Sequence, residues 1–135
     1  MFETKIAIVL RDDLAPWQAL NVTAFLATGV TAQHSEIIGE PYVDRVGNRF
    51  SPLSVQPVIV LAADADTMRA VQQRALQRGI VTSAYTEEMF STGHDAANRA
   101  VFAQFAPEDA RLVGIGLRAE RKLVDKVTKG ARMHP

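Results

Sequence analysis

Thr4-Lys-Ile-Ala-Ile-Val-Leu10 is the stretch on which the fold turns. Its apolar side chains run nearly without interruption, where a strand wet on one face would alternate with polar ones. A strand covered on both faces needs that pattern, and such strands sit in the middle of a sheet flanked by helices. Arg11-Asp12-Asp13 ends it with three charges that a sheet interior would not hold. Pro16 then suits the first turn of a helix, where its missing N–H is not needed. From Trp17 to Thr28 the chain is apolar nearly all round, which reads as a buried helix stopped by Gly29.

Further along, Pro57 to Ala63 is a second core strand. Asp64 can cap a helix carrying Met68, Val71, Ala75 and Leu76 at helical spacing, closed by Gly79. Ile80 to Ala84 reads as a third strand, His94 to Gln104 as a helix, and Ala110 to Leu117 as a fourth strand. Gly114 and Gly116 within it suggest close backbone approach or a bend. Ala119, Leu123, Val124 and Val127 form the stripe of a last helix ending at Gly130. Between residues 33 and 56, Pro41, Gly47-Asn48 and Pro52 mark turns, with a short edge strand at 36–39. The rhythm is that of one α/β domain over 1–135, a three-layer α/β/α sandwich with four strands.

Composition narrows the function classes. Of 135 residues, 47% are apolar and 22% charged, near a soluble globular average, which excludes wholesale disorder. Fifteen basic residues balance fifteen acidic ones, so the body is not a positively charged surface for nucleic acid. The absence of cysteine excludes disulfides, thiol catalysis and Cys-based metal sites. The longest apolar run, Val58 to Ala63, is far short of the ~20 residues a membrane helix needs. The opening residues show no secretory pattern, and a cytoplasmic protein is the expectation.

The candidate chemistry is polar and scattered. Gly114-Ile-Gly-Leu-Arg-Ala119 matches G-x-G-x-x-A, but only 16 residues follow it, too few for the second strand of a dinucleotide site. No motif calls for a cofactor or metal: the histidines are dispersed, and His94-Asp95 is the only adjacent acid–base pair. Carboxylates gather after two predicted strands, at Asp12-Asp13 and Glu87-Glu88, where open α/β sheets place ligands. Arg11, Asp13, Gln18, Asn21, Tyr85, Glu87 and His94 are therefore the candidate lining of a site for a small polar ligand. Asn21 is the sharpest of these, since an amide on an apolar helix must find hydrogen-bond partners. From Arg111 onward seven basic residues meet two acidic ones, a local charge of +5. Arg118, Lys122, Lys126 and Lys129 recur at helical spacing, a stripe that could bind an anion or RNA. The apolar first helix also suggests a homodimer surface.

Two stretches carry a resemblance. Lys5-Ile-Ala-Ile-Val-Leu-Arg-Asp-Asp-Leu14 resembles the opening strand and Arg-x-Asp-Leu turn of the peptidyl-tRNA hydrolase II fold. Leu112-Val-Gly-Ile-Gly116 and Leu123-Val-Asp-Lys-Val-Thr-Lys-Gly130 resemble its closing strand and helix. With that resemblance comes a mixed sheet. Trp17-Gln-Ala-Leu-Asn-Val-Thr-Ala-Phe-Leu26 and the closing Lys-Gly-Ala-Arg-Met-His-Pro are similar to a bacterial family of unknown function, domain of unknown function two thousand. Aligned on that fold, the hydrolase's lysine, glutamine and histidine positions fall on Leu20, Ala24 and Ala27. Its Asp-Ala-Gly falls on Ser83-Ala84-Tyr85. The resemblance implies a scaffold without that catalytic set, suited to binding a ligand. The alternative is a hydrolase of peptidyl- or aminoacyl-tRNA, or of a related ester, with a relocated acid–base pair drawn from Asp13 or Glu87 with His94.

Overall fold

In the computed structural model, which describes residues 2–135, the first strand β1 (Thr4–Arg11) is central. Its even-numbered side chains Ile6, Ile8 and Leu10 enter one core, and Ala7 and Val9 enter the other. All five are buried on opposite faces of one strand, which accounts for the unbroken apolar run. Each of the four larger side chains contributes roughly 1.5–3 kcal/mol by leaving water.

The elements in chain order are β1, α1 (Pro16–Gln33), β2 (Tyr42–Val43), β3 (Arg49–Phe50), β4 (Val58–Ala63), α2 (Ala65–Gln77), β5 (Ser83–Thr86), α3 (Asp95–Phe102), β6 (Leu112–Glu120), α4 (Arg121–Val127) and β7 (Arg132–Met133). Short 3-10 turns occupy Ser35–Ile37 and Glu87–Ser91. The main sheet runs β5-β6-β1-β4-β7. β4 lies parallel to β1, with Ile6 opposite Val58, whereas β6 is antiparallel to β1, with Ile8 opposite Gly116. Helix α1 packs on one face through Val22, Leu26 and Val30; α2 and α4 pack on the other through Met68, Val71, Val124 and Val127. The expected three layers are present, and the sheet is mixed.

The sheet has five strands, not four. The missing one, β7, pairs antiparallel with β4 through Leu61↔Met133 and Ala62↔Arg132. Two residues cannot show a periodicity, so sequence pattern had nothing to detect. Helix α1 continues past Gly29 to Gln33, because Gly29 is there for contact: a Cβ would lie 2.5 Å from that of Ser83. Nor is α1 buried all round. Trp17, Leu20 and Phe25 are more than half exposed. Leu76 of α2 is likewise exposed, and the α2 stripe is Met68, Val71 and Ala75.

Segment 36–39 forms a 3-10 turn and a lone bridge, Ile38 with Ser54, in place of an edge strand. The third and fourth strands sit two to three residues later than their apolar runs suggest. The last helix is shorter than expected: Ala119 belongs to β6, the helix begins at Arg121, and it ends at Val127 before a turn through Gly130 at φ +98°. Asp64 caps α2 as expected, its carboxylate accepting from the Thr67 N–H at 2.8 Å. Among the described residues no helix is long and apolar enough to cross a membrane.

The glycines of β6 let α1 approach the sheet. A Cβ on Gly114 would stand 2.6 Å from Val22 and 2.7 Å from Leu26, both fully buried. Gly114→Ala is therefore expected to cost about 1–3 kcal/mol by overpacking, read as a lower urea midpoint at unchanged slope. Gly93→Ala, with open space around the new carbon, should stay within about 0.5 kcal/mol of wild type.

Candidate functional site

Strand order sets which loops meet. β1, β4 and β5 all point the same way, so the segments after Arg11, Ala63 and Thr86 emerge at one edge of the sheet. β6 and β7 run oppositely and begin at that edge, bringing Arg111 and Arg132 to it. This edge gathers a connected cluster of charged side chains.

Arg11 is at its centre, with its side chain only 14% exposed. Its Nε donates to Asp13 at 2.6 Å and its Nη2 to Glu87 at 2.8 Å. Burial alone would lower the guanidinium pKa, but the two carboxylates outweigh it and raise the pKa above its ordinary value. Arg111 continues the chain of charges, 3.2 Å from Glu87 and 2.6 Å from Glu88. Arg11, Asp13, Glu87 and Arg111 wall a cleft of about 340 Å³ on the α2 side of the sheet, with Arg69 and Gln72 of α2 opposite and Met68 and Leu112 as its apolar floor. Asp12 turns to the other face and meets Arg132 at 3.2 Å. Among the described residues, no three histidine or carboxylate side chains come together to hold a metal ion.

Three of the candidate residues, Arg11, Asp13 and Glu87, thus share one cleft. The others do not join it. Asn21 and Tyr85 face each other on the α1 side: burial raises the Tyr85 phenol pKa, and the Asn21 amide offsets part of the rise. That answers where the Asn21 amide turns. Tyr85 also lies in an aromatic row, 5.7 Å from Phe25 and 5.2 Å from Phe90. Gln18 accepts from the Ala15 N–H at 3.0 Å and closes the start of α1. His94 caps α3, its Nδ1 accepting from the Ala97 N–H at 3.2 Å, while Asp95 pairs with Arg99. The imidazole serves the backbone there, and Glu87 is engaged elsewhere.

The basic stripe does not exist as one helix face. Arg118 lies on β6, where it binds Glu36 at 2.7 Å, Gln56 at 3.0 Å and His34 at 3.3 Å. Lys122 and Lys126 are on α4, and Lys129 is beyond its end. The helix starts at Arg121, so the spacing that seemed continuous crosses from strand to helix.

Arg69, Gln72 and Arg111 are the cleft residues that sequence spacing did not single out. The only available signal for Arg111 was its place just before a strand. Its meaning depends on that strand being antiparallel to β1, a long-range fact. For Arg69 and Gln72 the signal was the polar side of α2, which looks the same whether it faces a cleft or bulk water.

The geometry defines a three-layer α/β domain whose parallel strands deliver an arginine–carboxylate network into a cleft at their carboxyl ends. The chain belongs to the family described as "Protein of unknown function (DUF2000)", whose sequence profile matches residues 4–135. It is similar to a solved structure, that of protein of unknown function Atu0240 from Agrobacterium tumefaciens strain C58. The two are 61% identical, each is covered over 100% of its length, and the TM-score is 0.98. No curated protein matches the chain.

Glu88 ties the network to folding. Burial favours its neutral form, but hydrogen bonds from Arg111 and from its own backbone prevail and hold its pKa below the ordinary 4.5. A group with a lowered folded pKa binds protons more readily when unfolded. Its contribution is complete above the unfolded value of 4.5 and is lost as pH falls through the lower folded one. Urea midpoints measured from about pH 6 down to pH 3 should therefore fall less steeply in Glu88→Gln than in wild type.

Proposed function

We propose that the protein binds a small polar, anionic ligand in the cleft between β1, α2 and the start of β6. The observation that carries this reading is Arg11, nearly buried and fixed from two sides by Asp13 and Glu87 at the carboxyl ends of parallel strands. Ligands of open α/β sheets collect at such ends. A guanidinium locked by two carboxylates forms a rigid wall. Arg69 and Gln72, one turn apart on α2, are the groups able to turn toward an anion. Among the described residues, the partner of Arg69 is Asp66, at a long 3.4 Å, and that carboxylate is almost wholly in water. Such a pair yields readily to a better acceptor. Arg111 adds a third positive group at the rim.

This reading agrees with the resemblance to a peptidyl-tRNA hydrolase II scaffold stripped of its ionisable residues. Leu20, aligned with that family's lysine, is apolar and 73% exposed. Hydrolysis by a relocated pair of His94 with Asp13 or Glu87 is not favoured, because His94 caps α3 and does not line the cleft.

Thermal denaturation with a panel of carboxylates, sugar phosphates and nucleotides tests the reading. At least one class should raise the melting temperature saturably, by about 2.7 kcal/mol of stability at a hundred times its Kd. Arg69→Ala and Gln72→Ala, both at exposed or half-exposed positions, should weaken that shift at least tenfold in ligand concentration while leaving the unliganded melting temperature within ~2 °C. A flat panel, or shifts indifferent to both substitutions, overturns it.

A further inference from the structure

The charged groups of the cleft differ in how much bonding capacity they have left. Arg11 spends its Nε on Asp13 at 2.6 Å and its Nη2 on Glu87 at 2.8 Å. Glu87 is engaged at both oxygens, since its Oε2 meets Arg111 at 3.2 Å. Asp13 is not. Its Oδ1 is bonded to Arg11, no donor among the described residues meets its Oδ2, and 62% of the side chain is exposed. An ionised carboxylate has about four acceptor sites. Asp13 therefore brings to the cleft an acceptor that Arg11 holds in place and that a ligand can reach.

Arg69, on the α2 wall, has the opposite surplus. Its bond to Asp66 uses Nη1 and leaves the Nε and Nη2 hydrogens for another acceptor. Between these walls the lining is apolar, chiefly the buried side chains of Met68 and Leu112. At about 340 Å³ the space is near the bottom of the range of ligand pockets, room for a small molecule.

We infer that the ligand is a small α-amino acid, with its carboxylate on Arg69 and Gln72, its ammonium on Asp13 and its side chain over Met68 and Leu112. This rests on the reading that the cleft takes an anionic group, and it specifies the rest of the ligand. In so small a space a simple anion seated on Arg69 is repelled by the Asp13 carboxylate. An ammonium on the same ligand turns that repulsion into attraction and supplies three N–H donors. An α-amino acid joins an anion, a cation and an apolar group at one carbon, and the cleft offers a wall for each. Bonds between ionised groups are stronger than neutral ones, so the ammonium decides which carboxylate is accepted.

The probes are L-alanine, L-valine and L-leucine, each set against its 2-hydroxy acid, which keeps the carboxylate and side chain but replaces the ammonium by a neutral hydroxyl. Calorimetric titration near neutral pH should show, for at least one pair, the amino acid binding about tenfold tighter or better. Asp13→Asn keeps an oxygen for the Arg11 Nε and removes the charge. It should weaken the amino acid about tenfold and leave the hydroxy acid no weaker than in the wild type, whereas a merely structural loss would weaken both alike. A second measurement needs no variant. The cleft is lined by arginines, carboxylates and an amide, without His, Lys or Tyr, so nothing in it titrates between about pH 6 and 11. The preference should disappear as the ligand's own ammonium deprotonates, while hydroxy-acid binding holds. Equal binding of amino and hydroxy acids, both weakened by Arg69→Ala, overturns this inference and leaves the anion reading standing. An amino-acid preference untouched by Asp13→Asn or by alkaline pH also overturns it, as does silence from both sets when another anion binds. Silence from every anion removes both readings.

Discussion

Everything in this molecule depends on β1 being buried from both sides. A strand with Ile6, Ile8 and Leu10 on one face and Ala7 and Val9 on the other has no stable place except between two helical layers. Once it is there, its neighbours follow: β4 and β6 fill its two hydrogen-bonding edges, and α1 and α2 cover its faces. The burial stops at Arg11, and that charge begins the candidate site. The strand that organises the core thus fixes, at its last residue, the one guanidinium the cleft is built around.

How charge is held here follows from that placement. Arg11 could not be desolvated alone; Asp13 two residues on, and Glu87 from the segment after β5, make its position tolerable. Arg111 then shares Glu87 and takes Glu88, so a cluster of five ionised groups forms with alternating sign. Such a cluster is more rigid than isolated surface pairs, because moving one member disturbs two others.

The elements that own a long apolar pattern were legible: β1, β4, the start of α1, the cap of α2, and the two-sided covering of the sheet. What sequence could not give was decided at a distance. β7 is two residues long, and β2 and β3 are no longer. The shape of α1 misled in an instructive way, for an all-round apolar helix reads as buried, yet Trp17, Leu20 and Phe25 are each more than half exposed. For the site, Arg11, Asp13 and Glu87 were found because they follow strands, a local cue. Gln18 and His94 looked equally chemical but spend their polar atoms on backbone N–H groups, which only coordinates reveal. The lysine spacing failed for the same reason, since a period of four says nothing about where a strand gives way to a helix.

The position of β6 has a consequence for biosynthesis. It lies between β1 and β5, although it is nearly the last strand in the chain. Until residue 120 has left the ribosome, β1 has one vacant edge and β5 has no neighbour in the sheet. A nascent chain at that stage exposes the greasiest strand of the molecule to any passing polypeptide. Late closure of this kind makes the growing chain a natural client for holding chaperones, and makes slow translation of its final third more hazardous than slow translation of its first.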